Sequence, residues 1–412
     1  MTHHTLIQKL AILSDAAKYD ASCASSGTTK RNSSDGKGLG STEGHGICHA
    51  YAPDGRCISL LKILMTNFCI YDCVFCVNRA SSNVPRARFS VEEVVGLTLD
   101  FYRRNYIEGL FLSSGIIKSS DKTMEDMVRI VRELRTTHNF RGYIHLKTIP
   151  NASQDLIAEA GLYADRLSIN IEFPDDVSLQ NLAPEKDVVT IKQAMAGIRS
   201  TIDEAREPTL VHRRQKTFAP AGQSTQMIVG ADQSNDATVL MRSASLYGSY
   251  KLKRVYYSAF SPIPDASKLL PLIKPPLMRE HRLYQADWLM RFYGFNVDEI
   301  TATADGGMLD LAIDPKLAWA LKHRHQFPLD VQKSPKEILL RVPGFGVKTV
   351  TRLLQARRST QLGYADMMRM GAMMSKAKPF VILKDWHPGK LGDVLDLRTR
   401  FAPPAEQLPL FQ

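Results

Sequence analysis

No cysteine occurs after residue 76 of this 412-residue chain. All six, Cys23, Cys48, Cys57, Cys69, Cys73 and Cys76, precede that point. The chain opens Met1-Thr2-His3-His4, with no basic segment leading into an apolar one. That combination argues against an exported disulfide framework and for a cytoplasmic protein with reduced thiols. Long apolar runs are missing too. The run from Ile58 to Met65 is short and contains Lys62, so no membrane span is expected. An excess of acid is also lacking. Lys and Arg number 53 against 42 Asp and Glu, a net charge of +11 that points to an anionic partner such as nucleic acid. Hydrophobic residues make up 44% and charged residues 23%, as in soluble globular proteins, and the length allows two or three domains.

What the chain does have is Cys69-Ile70-Tyr71-Asp72-Cys73-Val74-Phe75-Cys76, three thiols at spacing C-x3-C-x2-C. A 4Fe–4S cluster normally takes four cysteine ligands. A loop that offers three leaves one iron open to a substrate or cofactor. A zinc site would pair its C-x2-C with a second pair of Cys or His ligands. The octapeptide is the signature of the radical S-adenosylmethionine (SAM) enzymes, and the chain resembles that superfamily from this loop to about residue 295. The resemblance implies a 4Fe–4S cluster on Cys69, Cys73 and Cys76, with SAM held on the open iron through its methionine amino and carboxylate groups. It further implies an electron donor such as flavodoxin or ferredoxin, and cleavage of the sulfonium to a 5′-deoxyadenosyl radical.

Around the loop, residues 1–20 read as a short amphipathic helix with Leu6, Leu10 and Leu13 at helical spacing. Residues 21–46 read as a Gly- and Ser-rich loop. From residue 57 short apolar strands alternate with helices, the mark of parallel βα units. Strands are expected at residues 58–65, 109–112, 143–149, 166–173, 225–230 and 254–260, and a long helix at 279–293 closes the count. Six such units match the partial (β/α)6, TIM-like barrel of radical SAM enzymes, an α/β fold. The cysteine loop then lies at the C-terminal end of the first strand, where parallel barrels place their active sites.

The family places SAM contacts at strand ends. After the second strand it commonly has Gly-Gly-Glu; here Ser113-Ser114-Gly115 matches, with the small residues kept and the acid lost. Ser168, Asn170 and Glu172 alternate on one face of the fourth strand. Such polarity in a buried strand implies a wet or ligand-filled pocket, or side chains that satisfy one another. On the fifth strand the resemblance puts Ile228 against the adenine and Gly230 where close approach is needed. Phe75 would flank the adenine edge. Cys23, Cys48 and Cys57, with His45 or His49, are candidates for an auxiliary iron–sulfur cluster; buried structural thiols are the alternative.

Downstream, Ser334-Pro335-Lys336-Glu337 carries a helix-start pattern. Val342-Pro343-Gly344-Phe345-Gly346-Val347-Lys348-Thr349 follows and resembles the helix-hairpin-helix motif of DNA repair and replication proteins. The resemblance makes Gly344, Gly346, Lys348, Thr349 and Arg352 phosphate contacts, with Arg357 and Arg358 adding charge. Such contacts position duplex DNA without reading its bases. From Lys316 to Arg358 ten Lys or Arg face two acids, Asp330 and Glu337, a local charge of 10 − 2 = +8. The expected organisation is an extension over residues 1–50, a radical SAM barrel over 51–295, a connection over 296–330, an all-α helix-hairpin-helix domain over 331–390 and a tail over 391–412.

The whole arrangement looks like the group described as DNA modification/repair radical SAM proteins. It implies a SAM-dependent radical enzyme acting on DNA. The alternatives are an RNA-modifying enzyme acting on tRNA and a DNA-bound iron–sulfur redox sensor without turnover.

Overall fold

The computed structural model describes residues 4–17, 47–51, 57–207, 217–264, 267–389 and 397–402. The chain divides into two compact units, Met1–Ser234 with Ser245–Pro275, and Asn235–Ala244 with Pro276–Gln412. No helix among the described residues is long and apolar enough to cross a membrane.

The first unit opens with α1 (Leu6–Ala17) and β1 (Ile47–Tyr51). Strands and helices then alternate: β2 (Cys57–Leu64), α2 (Val91–Arg103), β3 (Gly109–Ser113), α3 (Ser120–Thr136), β4 (Tyr143–Lys147), α4 (Gln154–Tyr163) and β5 (Arg166–Ser168). They continue through α5 (Asp176–Leu182), α6 (Val188–Glu204), β6 (Gln223–Val229), α7 (Asp236–Tyr250), whose first part falls in the second unit, and β7 (Arg254–Ala259). Among the described residues the strands form one seven-stranded sheet in sequence order, β1 to β7, an open half-barrel. Strands β2 to β7 run parallel, as the alternating pattern predicts. β3 and β6 are buried along their whole length, as in a parallel sheet covered on both faces.

Side-chain caps set the helix starts. Ser90 and Glu93 form the expected capping box on α2, and Ser119, Ser153, Asp175 and Asp187 accept from a backbone N–H three residues on.

The structure departs from the sequence expectation at three places. β1 pairs antiparallel with β2, Ile47 opposite Leu61 and Tyr51 opposite Cys57. It follows a loop-like stretch, and what makes it a strand is the free edge of β2, not its own composition. β5 ends at Ser168, earlier than the expected residue 173, and pairing with β6 resumes as a single bridge from Glu172, whose φ is 63°, to Met227. Helix α8 (Leu277–Tyr293), expected to close the barrel count, is assigned to the second unit.

That unit continues through α9 (Val297–Thr301), α10 (Pro315–Lys322), β8 (Leu329–Asp330), α11 (Lys336–Leu339), α12 (Val347–Ala356), α13 (Tyr364–Arg369), α14 (Met374–Ala377), β9 (Val381–Ile382) and α15 (Leu397–Phe401). β8 and β9 pair in parallel. One buried ion pair ties its pieces together. Asp236, fully buried, accepts from Arg279 Nε at 2.7 Å and from the Leu309 N–H at 2.9 Å. Removing the carboxylate strands Arg279 in the interior, so Asp236→Ala should cost about 3–5 kcal/mol of unfolding free energy. Urea denaturation against the unaltered protein measures it, and an unchanged midpoint would show the pair to be dispensable.

Candidate functional site

β2 runs directly into the cysteine loop, whose two halves dock on different elements. The first half rests on the end of β3. Met65 N–H donates to Ser113 O at 2.8 Å, Gly115 N–H to Thr66 O at 2.8 Å, and Ile70 N–H to Ile116 O at 2.9 Å. A Cβ on Gly115 would lie 2.3 Å from the Phe68 carbonyl oxygen, so this position admits only glycine. The second half rests on the segment after α5. Val74 N–H donates to Leu182 O, and Asp72 N–H to the Glu185 carboxylate, both at 2.8 Å.

Two cations enclose the thiols. Arg86 donates through Nη1 to the carbonyls of Asn67 and Asn78, and through Nη2 to those of Arg79 and Ser82 at 2.6 and 2.8 Å. Burial pushes the Arg86 pKa down, and the Cys76 and Cys69 sulfurs oppose that shift. Lys186 lies 2.5 Å from the Glu172 carboxylate and 5.8 Å from the centre of the Phe75 ring. Burial opposes the Lys186 charge, but Glu172, Cys73 and Cys76 hold its pKa above the usual lysine value.

The three thiols are free of disulfides. Burial pushes the Cys73 thiol up to about 12, and a bound metal lowers a thiol's pKa. Among the described residues, no three Cys, His, Asp or Glu side chains draw together as ligands of a single metal ion. In a four-iron cluster each protein thiolate binds its own iron, so the three sulfurs need not share one point. Three free thiols in the field of two cations fit such a cluster.

The residues expected to contact SAM fall into three places. Phe75, Asn170, Glu172 and Ile228 are brought together beside the loop. Phe75 packs edge-on against Phe173 at 5.1 Å. Glu172 N–H donates to Gln226 O at 3.2 Å, and Ile228 N–H donates to Glu172 O at 2.7 Å. Asn170 Nδ2 lies 3.3 Å from both Glu172 carboxylate oxygens. Asn170 Oδ1 is buried with no hydrogen-bond partner, an acceptor suited to a ligand. Gly230, with φ 81°, follows the end of β6.

Ser113, Ser114 and Gly115 lie against the loop, with the Ser114 hydroxyl donating to the Gly115 carbonyl at 2.7 Å. Ser168, the first residue of the expected polar face, follows the alternative in which such side chains satisfy one another. Its hydroxyl is 2.5 Å from His145 Nε2 and 2.6 Å from Ser224 Oγ, a buried chain that satisfies itself. Burial, with Arg166, Lys147 and Lys62 nearby, pushes the His145 pKa well down and keeps its ring neutral.

The auxiliary-cluster cysteines are not brought together. Cys48 is buried against Ile58, Leu60 and Phe111, as a structural thiol would be, while Cys57 is exposed at the start of β2. Cys23, His45 and the His49 side chain lie outside the described residues.

In the second unit, α11 and α12 are joined by a turn built on Gly344. Its φ is 83°, and a Cβ would meet the Met373 carbonyl oxygen at 2.5 Å. The buried Lys316 amine donates to Phe345 O at 2.6 Å and lies 4.6 Å from the centre of the Tyr293 ring. Gly346 caps α12, and Lys348 is exposed on its first turn. Thr349 is expected among the phosphate contacts. It is buried, and its hydroxyl donates to Met370 O at 3.4 Å. Arg352 is exposed, although its guanidinium also reaches Met370 O at 3.2 Å. Arg357 is spent on the Val331 and Ser334 carbonyls.

Arg86, Lys186, Tyr293 and Lys316 were not singled out from the sequence. Only Arg86 lies close enough to the cysteine loop for its charge to have been a signal.

Arg86→Gln should leave the protein folded while lowering the iron retained after anaerobic reconstitution and desalting. Full iron and sulfide content in the variant would show that the guanidinium is not needed. Burial pushes Lys316 down to about 7, against an ordinary value of 10.5. Below pH 7 the folded state must carry a buried charge; above 10.5 neither state is charged. Stability should therefore rise between pH 7 and 10.5, by at most about 1.4 kcal/mol per pH unit. Thermal denaturation should show that slope in the unaltered protein and lose it in Lys316→Met.

Residues 63–207 match the family model described as the Radical SAM superfamily. Among solved structures, the chain is similar to methylornithine synthase at 13% identity, over 56% of this chain and 61% of that one, with a TM-score of 0.44. It is similar to the FeFe-hydrogenase maturase HydG from Carboxydothermus hydrogenoformans at 14% identity, over 55% and 50%, with a TM-score of 0.42. A radical SAM methyltransferase from Sphaerobacter thermophilus matches at 17% identity, over 57% and 64%, with a TM-score of 0.39. The chain thus spans less than two thirds of each of these proteins. No curated protein matches it.

Proposed function

We propose that the protein, whose residues 63–207 match the Radical SAM superfamily model, is a SAM-dependent radical enzyme that modifies or repairs DNA. Cys69, Cys73 and Cys76 would hold a 4Fe–4S cluster. When bound, the cluster and SAM supply the electron and the sulfonium whose reductive cleavage yields the radical. The chain's own part is to bind and orient. Arg86 closes the cysteine loop through four carbonyls and sets a positive charge beside two sulfurs. Glu172 holds Lys186 near the other side of the loop and orients the Asn170 amide, whose carbonyl oxygen is left to accept from a ligand. Phe75 and Ile228 supply apolar surface beside that acceptor.

The observation that carries the DNA reading is the turn at residues 343–348. Its glycine-built backbone leads into α12 with Lys348 exposed, within a segment of charge +8. A helix N-terminus with a lysine beside it suits a phosphate, and such contacts are indifferent to sequence. A base to be modified must leave the stack before a radical can attack it. An auxiliary cluster would favour the RNA alternative, and among the described residues Cys48 and Cys57 lie apart, one buried and one exposed.

Reduced protein incubated with SAM should release 5′-deoxyadenosine; none above background would sink the enzyme reading in favour of a redox sensor. Lys348→Glu should weaken duplex binding at every sequence tried and reduce the salt slope by about one. Fluorescence anisotropy across a salt series measures both. Untargeted nucleoside mass spectrometry on cells with and without the protein identifies the product.

A further inference from the structure

Helix α8 carries two large aromatic rings that its own unit does not cover. Trp288 is 51% exposed and Phe292 46%. They stand one helical turn apart, with ring centres 4.3 Å from each other and planes inclined by 48°. The Arg291 guanidinium lies 4.8 Å from the Phe292 ring centre and 5.9 Å from that of Trp288, and Asp287 holds it in place at 2.9 Å. Single exposed apolar residues are ordinary on a surface. An adjacent pair with a fixed cation across both rings is a formed feature.

Its position is tied to the turn already described. A Cβ on Gly346 would lie 3.9 Å from the Tyr293 hydroxyl. Tyr293, the neighbour of Phe292 in the chain, thus stands against the start of α12, while Lys316 reaches both the Tyr293 ring and the Phe345 carbonyl.

We infer that the Trp288–Phe292 pair is a stacking platform for an unpaired base of the DNA strand whose phosphate is held at the 343–348 turn. The inference rests on the DNA reading above and adds to it a class of substrate: single-stranded, bulged or otherwise unpaired DNA. Charge selects this occupant. The segment from Lys316 to Arg358, which holds the turn, has a formal charge of +8. With the buried Lys316 and the Arg341 paired to Glu299 set aside it is still 8 − 2 = +6, which suits a polyanion and opposes a second copy of the chain. Stacking on aromatic side chains is open to every base, because each has a π-face, and arginine adds to it. A fully paired duplex offers that face only at its ends. The platform therefore distinguishes unpaired from paired strands where the turn, which meets only phosphate, cannot.

The test is anisotropy of the full-length protein with four labelled oligonucleotides: single-stranded DNA, a perfect duplex, the same duplex with a one-base bulge, and single-stranded RNA. Phe292→Ala should weaken binding of the single-stranded and bulged DNA about tenfold, with the duplex affinity and salt slope unchanged. Trp288→Ala should do the same, and Trp288→Phe, which keeps a ring, should retain the preference for the bulge. Lys348→Glu should weaken all the DNA ligands alike. If the unaltered protein binds no DNA, the DNA reading falls and the platform with it. If it binds DNA and neither alanine variant changes the preference for unpaired strands, the platform alone is overturned. Equal losses on duplex and bulge, tighter binding of RNA than of DNA, or a self-association removed by Phe292→Ala would each overturn it as well.

Discussion

Four backbone carbonyls converge on the guanidinium of Arg86, and the candidate site depends on that convergence. Asn67 lies before the three cysteines; Asn78, Arg79 and Ser82 lie after them. The segment between is irregular, so its carbonyls have no ladder or helix to satisfy them, and unpaired buried carbonyls are costly. A planar cation with five donors is the side chain able to gather several at once. The same group that closes the loop also places positive charge beside Cys69 and Cys76. Loop geometry and thiolate electrostatics thus share one residue. The remaining anchors come from β3 and from the segment after α5, so the loop takes shape only when distant strands have assembled.

Glu172 is the second point where architecture and chemistry meet. A left-handed backbone in a side-chain-bearing residue costs about 1–3 kcal/mol, and such strain persists where its surroundings impose it. Here β6 grips the residue on both sides, through Gln226 and Ile228. Its carboxylate meets Lys186 and Asn170. An undistorted strand would have kept Ser168, Asn170 and Glu172 in one row. The bend separates them: Ser168 remains in the interior chain with His145 and Ser224, while the other two meet the cysteine loop.

Much of this was legible in the sequence, and the boundary of legibility is physical. The six parallel strands were readable because their apolar runs and capped helices repeat. The thiols were readable because their spacing lies within eight residues. β1 was not, since its strand character comes from the edge it completes. The roles of Lys186 and Lys316 were not, because their partners, Glu172 and Phe345, lie 14 and 29 residues away. Thr349 misled for a related reason: the motif fixes its place in the turn, but the direction of its side chain is decided by Met370.

The division of α7 has a consequence for modularity. Residues 235–244 belong with the second unit and residues 245–275 with the first, so the chain passes from one unit to the other three times. No single cut separates the two intact. Ending the chain at residue 275 would leave Asp236 without Arg279, and starting it at 276 would leave Arg279 without Asp236. A gene fusion that simply appended a hairpin module to a finished barrel would place one junction between them. This arrangement has the character of co-inheritance, with both units obliged to be made, and to change, as one gene product.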